Sequence, residues 1–257
     1  MNVLDAIVPA GGSLDEAFAS AVGVHHKPLI RFGDQTVLER TVAAIKTAFP
    51  GGRIVVVGPE TVRHHIAEQV SMALPEADSG PANILLGLDW LRRTSDGPLG
   101  KVLVVTSDLP FLTPESLKTL VSRCDPGVAF SVPLIGQSAF ESAYPGAPAT
   151  FVPVREGLVT TGCAYLVDAE ALEAARPHME AIFERRKSKM AMARLLGPVF
   201  VWKLLTKTLT VEDVENKASQ ILGCKARAVR DSAAELAFDL DYLDDFRYAE
   251  RIVQGHP

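Results

Sequence analysis

The residues best suited to chemistry sit where apolar runs stop. Val102 to Val105 are four aliphatic residues in a row that lead into Thr106-Ser107-Asp108, and a run of this kind reads as a strand covered on both faces. Thr113-Pro114-Glu115 then opens a helix, with a capping hydroxyl followed by a proline in the first turn. Asp108 therefore belongs at the carboxyl end of a central strand, the edge where open parallel sheets bind ligands. A lone acid there suits a magnesium ion that also holds phosphate oxygens, and equally suits a turn or a helix cap.

A first apolar run, Leu4 to Val8, ends in Pro9-Ala10-Gly11-Gly12-Ser13. Paired glycines after a strand let backbone N–H groups approach a phosphate or ribose closely, or simply make a tight turn. The segment is neither a Walker loop nor a spaced G-x-G-x-x-G. Lys27 precedes Pro28-Leu29-Ile30-Arg31-Phe32-Gly33-Asp34-Gln35-Thr36, an extended stretch, a glycine turn and a threonine that caps the next helix. Its ammonium can reach the α- and β-phosphates of a nucleotide and offset charge on a departing phosphate, or can be an ordinary surface lysine. His25 and His26 read as loop residues, because no acid or cysteine stands at a metal-ligand spacing from them.

Six strand-like runs would carry these groups: Leu4–Val8, Ile54–Val57, Val102–Val105, Val128–Val132, Cys163–Val167 and Arg227–Val229. Helical spacing recurs between several of them, as in Val37, Leu38, Thr41, Val42, Ile45, Ala48 and Phe49, and in Ile84, Leu85, Leu88 and Leu91. The alternation predicts βαβ units and a mainly parallel sheet with helices on both faces. Residues 137–157, rich in Pro, Gly, Ala and Ser, read as a long surface loop or loose hairpin. Residues 169–223 are helical in pattern and are taken as an insertion within a single domain spanning 1–257.

With 257 residues, 47% of them hydrophobic, a sizeable core can form. A net charge of −5 argues against broad nucleic-acid binding and leaves room for a local basic pocket. Cys124, Cys163 and Cys224 fit neither a zinc pattern nor a disulfide framework, so a reducing compartment, the cytoplasm, is expected. The amino terminus lacks the basic start of a signal peptide, and no apolar run approaches the roughly 18 residues of a membrane span. A soluble protein with no membrane partner is expected.

Taken in order, Ala10-Gly11-Gly12, Lys27-Pro28-Leu29 with Val37-Leu38-Glu39-Arg40, and Thr106-Ser107-Asp108-Leu109-Pro110-Phe111-Leu112-Thr113 resemble the MobA-like nucleotidyltransferases. That superfamily includes molybdenum-cofactor guanylyl- and cytidylyltransferases, methylerythritol-phosphate cytidylyltransferase and sugar-phosphate nucleotidyltransferases. Gly80-Pro81-Ala82-Asn83 is similar to the segment that approaches the base, with Asn83 where several relatives carry Ser. Asp239-Leu240-Asp241-Tyr242-Leu243-Asp244-Asp245-Phe246 is similar to a terminal D-x-D-T-P-E-D-L signature whose acid can supply a second metal ligand. The likeness covers roughly Leu4–Leu120 and Leu236–Glu250, and is greatest to a subset of poorly defined role with an elongated glycine loop and a helical insert.

The resemblance implies a Rossmann-like nucleotidyltransferase fold and magnesium-dependent transfer of a nucleoside monophosphate from an NTP to a phosphorylated small-molecule acceptor, releasing pyrophosphate. It assigns Ala10, Gly11, Gly12, Lys27 and Asn83 to the nucleotide, Lys27 and Asp108 to catalysis, and Asp108 with Asp241 or Asp239 to magnesium. The alternatives are a nucleotide-sugar glycosyltransferase and a non-catalytic nucleotide sensor. The second is prompted by a departure from the pattern: no arginine occurs between the glycines and Lys27. Tyr242-Leu243 also stands in place of Thr-Pro.

In the insertion, Arg185-Arg186-Lys187-Ser188-Lys189 reads as a solvated helix face or as a grip on the acceptor phosphate through Arg185, Arg186 and Lys187. Cys163, after Thr160-Thr161-Gly162, reads as a small buried residue rather than a nucleophile. Val199 to Leu205 is too apolar to lie fully exposed on a monomer. It is expected to pack on its own sheet, with burial in a homodimer or contact with a membrane surface as the alternatives.

Overall fold

The computed structural model describes residues 3–185 and 188–255. The chain opens with β1 (Ala6–Pro9), α1 (Glu16–Val22), a small ribbon of β2 (Arg31–Phe32) and β3 (Gln35–Thr36), and α2 (Val37–Ala48). There follow β4 (Ile54–Gly58), α3 (Glu60–Ile66), β5 (Met72–Pro75), α4 (Gly80–Arg93), β6 (Lys101–Val105) and α5 (Pro114–Arg123). The second half holds β7 (Phe130–Gly136), α6 (Gln137–Ala143), β8 (Val152–Val154), β9 (Gly157–Thr161) and β10 (Ala164–Asp168). Helices α7 (Ala169–Ala174), α8 (Arg176–Arg185), α9 (Lys189–Leu196), α10 (Pro198–Leu205) and α11 (Val211–Leu222) then precede β11 (Ala226–Val229) and α12 (Leu243–Val253).

Among the described residues one nine-stranded sheet has the order β5-β4-β1-β6-β10-β7-β9-β8, with β11 also paired to β7. The β5, β4, β1 and β6 neighbours run parallel, whereas β10 lies antiparallel between β6 and β7. Every residue of β4 is buried, as are four of the five in β6, which is what their unbroken aliphatic sequences require. Alternation along the strands splits the core into two layers. Ala6, Val8, Val56 and Leu103 pack with Leu38, Val42, Ile45, Leu117 and Leu120 of α2 and α5, while Ile7, Val55, Val57, Val102 and Val104 pack with Leu85, Leu88 and Leu91 of α4.

The loop or loose hairpin expected over 137–157 is present only in its later part, which is irregular over 144–151. Its first part is α6, because Phe140 and Tyr144 recur at helical spacing and bury into an aromatic cluster with Phe111 and Phe238. Its last part is the β8–β9 hairpin. The expected strands are present, but β5, β8 and β9 add to them. These additional strands lie toward the two edges of the sheet, where exposed residues such as Met72, Val152 and Leu158 break the buried pattern that marks a central strand.

Among the described residues, all the regular structure from α7 to α11 is helical. Its apolar run divides: Phe200 and Leu204 pack onto Val154, Leu209 and Val211, whereas Val199, Trp202 and Leu205 on α10 are exposed. No helix among the described residues is long and apolar enough to cross a membrane.

Candidate active site

Three chain segments meet beyond the carboxyl ends of β1 and β6. The first is the glycine loop. Neither Gly11 nor Gly12 needs a positive φ, so a strained turn is not what calls for them. Close approach is. A Cβ on Gly11 would lie 2.6 Å from the Glu76 carboxylate and 3.3 Å from the Asn83 amide nitrogen, and one on Gly12 would press the Lys27 stem at 3.3 Å. Ala10 is buried beneath the loop.

Lys27 is held by its own backbone, which donates to the Gly12 carbonyl at 2.8 Å and accepts from Ile30 at 3.1 Å. Pro28 sits in that helical turn, with its φ fixed by the ring. The ammonium then reaches across to two acids, donating to Asp241 Oδ1 at 2.5 Å and standing 3.8 Å from Asp108 Oδ2. Burial pulls the Lys27 pKa down, but the hydrogen bond to Asp241 and the charges of Asp108, Asp241 and Asp239 outweigh it, so the net shift is upward and the ammonium stays charged.

Asp108, Asp239 and Asp241 form the second and third segments. Leu240 N–H donates to the Asp108 carbonyl at 3.1 Å, which lays the terminal signature beside the β6 loop. The neighbouring Phe111 and Phe238 rings meet edge-on at 4.8 Å. Asp245 is buried and accepts from Asp241 N–H at 2.9 Å and Tyr242 N–H at 2.6 Å. The last acid of the signature thus caps α12 and fixes the backbone of Asp241.

One carboxylate oxygen from each of Asp108, Asp239 and Asp241 lies within 4.8 Å of the others. Burial, then the charges of Asp108 and Asp241, push the Asp239 carboxyl up to about 7. Burial also raises Asp108, against the pull of Thr106 and Lys27. Asp108 Oδ1 is buried and has no partner of hydrogen-bonding geometry, nor has the Thr106 hydroxyl, although the hydroxyl is near enough to ease the carboxylate's charge. Three convergent oxygen donors, with Asp108 and Asp239 raised in pKa and one Asp108 oxygen orphaned, form a set that a hard divalent cation would satisfy.

Asn83 lies at the start of α4, where Ser79 caps the helix by accepting from Ala82 N–H at 3.1 Å. Its Oδ1 accepts from Ala77 N–H at 2.7 Å and its amide nitrogen faces Gly11. The structure therefore brings together Ala10, Gly11, Gly12, Lys27, Asn83, Asp108, Asp239 and Asp241. Arg185 is elsewhere, exposed at the end of α8, two residues beyond Phe183, which approaches Gly80 at the start of α4. Arg186 and Lys187 lie outside the described residues.

Sequence reasoning overlooked Glu76 and Tyr165. Glu76 follows β5, an edge strand of only four residues, so nothing anchored it to the glycine loop. Tyr165 stands within β10; burial first, then the charges of Cys163, Asp108 and Asp239, push its phenol up, so it stays protonated. Burial first, then the same acids, hold the Cys163 thiol well above its ordinary value, which suits a small, partly buried residue and not a thiolate nucleophile.

The profile of the MobA-like NTP transferase domain matches residues 6–195. A structure described as a hypothetical transferase from Thermus thermophilus is 30% identical, with 95% of this chain and 99% of that chain covered at a TM-score of 0.81. The 2-C-methyl-D-erythritol 4-phosphate cytidylyltransferase of Thermus thermophilus is 16% identical over 98% of this chain and 100% of that one, with a TM-score of 0.55. A CMP:2-keto-3-deoxy-manno-octonic acid synthetase complexed with CTP is 12% identical, fully covered on both sides, at 0.63. The last two likenesses speak to the fold alone. No curated sequence matches the chain. With most of the sheet, the glycine loop and the β6 acid inside the matched residues, the chain belongs to the MobA-like NTP transferase domain family and is a nucleotidyltransferase.

Proposed function

We propose that this enzyme transfers a nucleoside monophosphate from an NTP to a phosphorylated small-molecule acceptor and releases pyrophosphate, with magnesium bound by Asp108, Asp239 and Asp241. The observation that carries the reading is the convergence of three carboxylates, within 4.8 Å of one another, on the lysine that also supports the glycine loop. Magnesium in that position would supply Lewis-acid polarisation of the phosphate oxygens.

The chain's own groups do the rest. Backbone N–H groups of Gly11 and Gly12 receive the triphosphate, and Lys27 follows the negative charge that moves onto pyrophosphate. Asn83 and the start of α4 meet the nucleoside side. A phosphate monoester is largely ionised at neutral pH, so its attacking oxygen has no proton to lose and no general base is required. Positioning and charge supply the acceleration.

The test is pyrophosphate release from each NTP in turn, with magnesium and pooled phosphorylated metabolites. Release that depends on both the metal and the pool supports the proposal. Transfer from a nucleotide sugar without pyrophosphate would replace it with glycosyl transfer.

A further inference from the structure

A cavity of about 330 Å³ lies under α11 against the antiparallel arm of the sheet. Val132, Leu134, Val154 and Val159 wall it on the sheet side, and Val214 and Leu222 on the helix side. The charged pair at its margin is already satisfied: Glu215 accepts from Ala228 N–H at 2.9 Å and stands 3.7 Å from Arg227. Such a lumen gives water few partners and is of a size that small-molecule sites begin at, about 300 Å³. Val152 and Val214 line it and are 45% and 37% exposed, so it opens to the surface.

Strand register ties this cavity to the acidic cluster. Val167 stands opposite Phe130, so Tyr165, two residues along β10, shares the face that Phe130 presents. The two rings stack with centroids 5.8 Å apart. Phe130 lines the cavity, and Tyr165 feels the charges of Asp108 and Asp239. Thr161, at the cavity edge, is two residues before Cys163, which feels the same acids; that is about 7 Å of extended chain. Across the sheet the order β1, β6, β10, β7 sets the glycine loop, Asp108, Tyr165 and the cavity side by side. The cavity thus lies on the β7 side of the glycine loop and the acids.

Building on the nucleotidyl-transfer reading, we propose that the acceptor is the phosphate monoester of a short alkyl or isoprenyl chain, its hydrocarbon seated in this cavity and its phosphate beside Tyr165 and the acids. One acceptor phosphate oxygen forms a bond to the α-phosphorus of the NTP. The bond between that phosphorus and the bridging oxygen breaks, and pyrophosphate leaves with the oxygen and its electron pair. The product is a nucleoside diphosphate esterified to the chain. The Tyr165 hydroxyl donates to the acceptor phosphate.

Ethyl, butyl, hexyl and octyl phosphate test this with the full chain, by calorimetric binding and by pyrophosphate release with magnesium and NTP. Affinity should rise up to about fourfold per methylene until the cavity is full. Ala218→Phe, which fills the cavity from α11, should flatten that rise to the ethyl phosphate level while leaving the KM for NTP unchanged. Val159→Phe fills it from the opposite wall should the first variant fold poorly. Binding that ignores chain length in the unaltered protein overturns the proposal, even where hydrophilic phosphates yield pyrophosphate and the transfer reading survives. Chain-length-dependent binding with no pyrophosphate from any NTP overturns the transfer reading, and the acceptor role with it.

Discussion

Phe238 and Trp202 are large aromatic residues in opposite situations. Phe238 is 2% exposed, meets the rings of Phe111, Phe140, Tyr144 and Tyr248, and directly precedes Asp239. Trp202 is 62% exposed on α10, with Val199 and Leu205 beside it. Around the acids the fold spends apolar contacts on fixing position; along α9 and α10 it leaves apolar surface uncovered. The difference is one of purpose. Charged groups that must converge to within 4.8 Å need a scaffold that cannot relax, whereas a helical cover beside a cavity works with fewer fixed contacts.

The sharpest way to break this contrast is to cut the scaffold. Phe238→Ala should cost about 3–5 kcal/mol of stability, read as a fall in the denaturation midpoint, while Trp202→Ala should stay within about 0.5 kcal/mol. Equal effects would mean that the two ends are built alike. Next in size is Lys27→Ala, for which a loss of roughly 100-fold or more in kcat/KM is expected, since removal of a single charge-stabilising donor commonly costs that much. The loss should be similar for every NTP accepted. A change in base preference would put Lys27 against the nucleobase.

A smaller effect follows from pH. The Asp239 carboxyl titrates at about 7 in the fold against 3.8 as the ordinary value, so between those limits the folded chain holds a proton that the unfolded chain has released. Stability of the metal-free protein should therefore fall as pH rises from about 4 to 7 and then level off. Magnesium needs the ionised carboxylate and must displace that proton, so its affinity should weaken by up to tenfold for each pH unit below 7. Calorimetric titration between pH 5.5 and 8 reads this directly. A flat profile would remove Asp239 from the ligand set.

Legibility in the sequence tracked how local the cause was. β4 and β6 could be read because an unbroken aliphatic run has few other uses, and α2 and α5 because Thr36 and Thr113 cap them, as their side chains do in the structure. α6 was hidden because its sequence, Gln137-Ser138-Ala139-Phe140, is ordinary loop composition until Phe140 finds an aromatic cluster drawn from distant segments. The same holds at the site. Lys27 and the acids stand in motifs whose order carries information, and they meet across 214 residues of sequence. Glu76 and Tyr165 stand in no motif and join the site only through the register of β5 and β10.

The central claim is that Asp108 holds a catalytic cation which Asp239 and Asp241 share. Asp108→Asn removes the charge, preserves the volume and relieves a buried carboxyl of its desolvation. The most direct measurement compares this variant with the unaltered protein in metal-dependent pyrophosphate release and in thermal stability. Turnover should fall by at least three orders of magnitude, with a melting temperature unchanged or higher in the absence of metal. Turnover retained by a folded Asp108→Asn protein would contradict that claim.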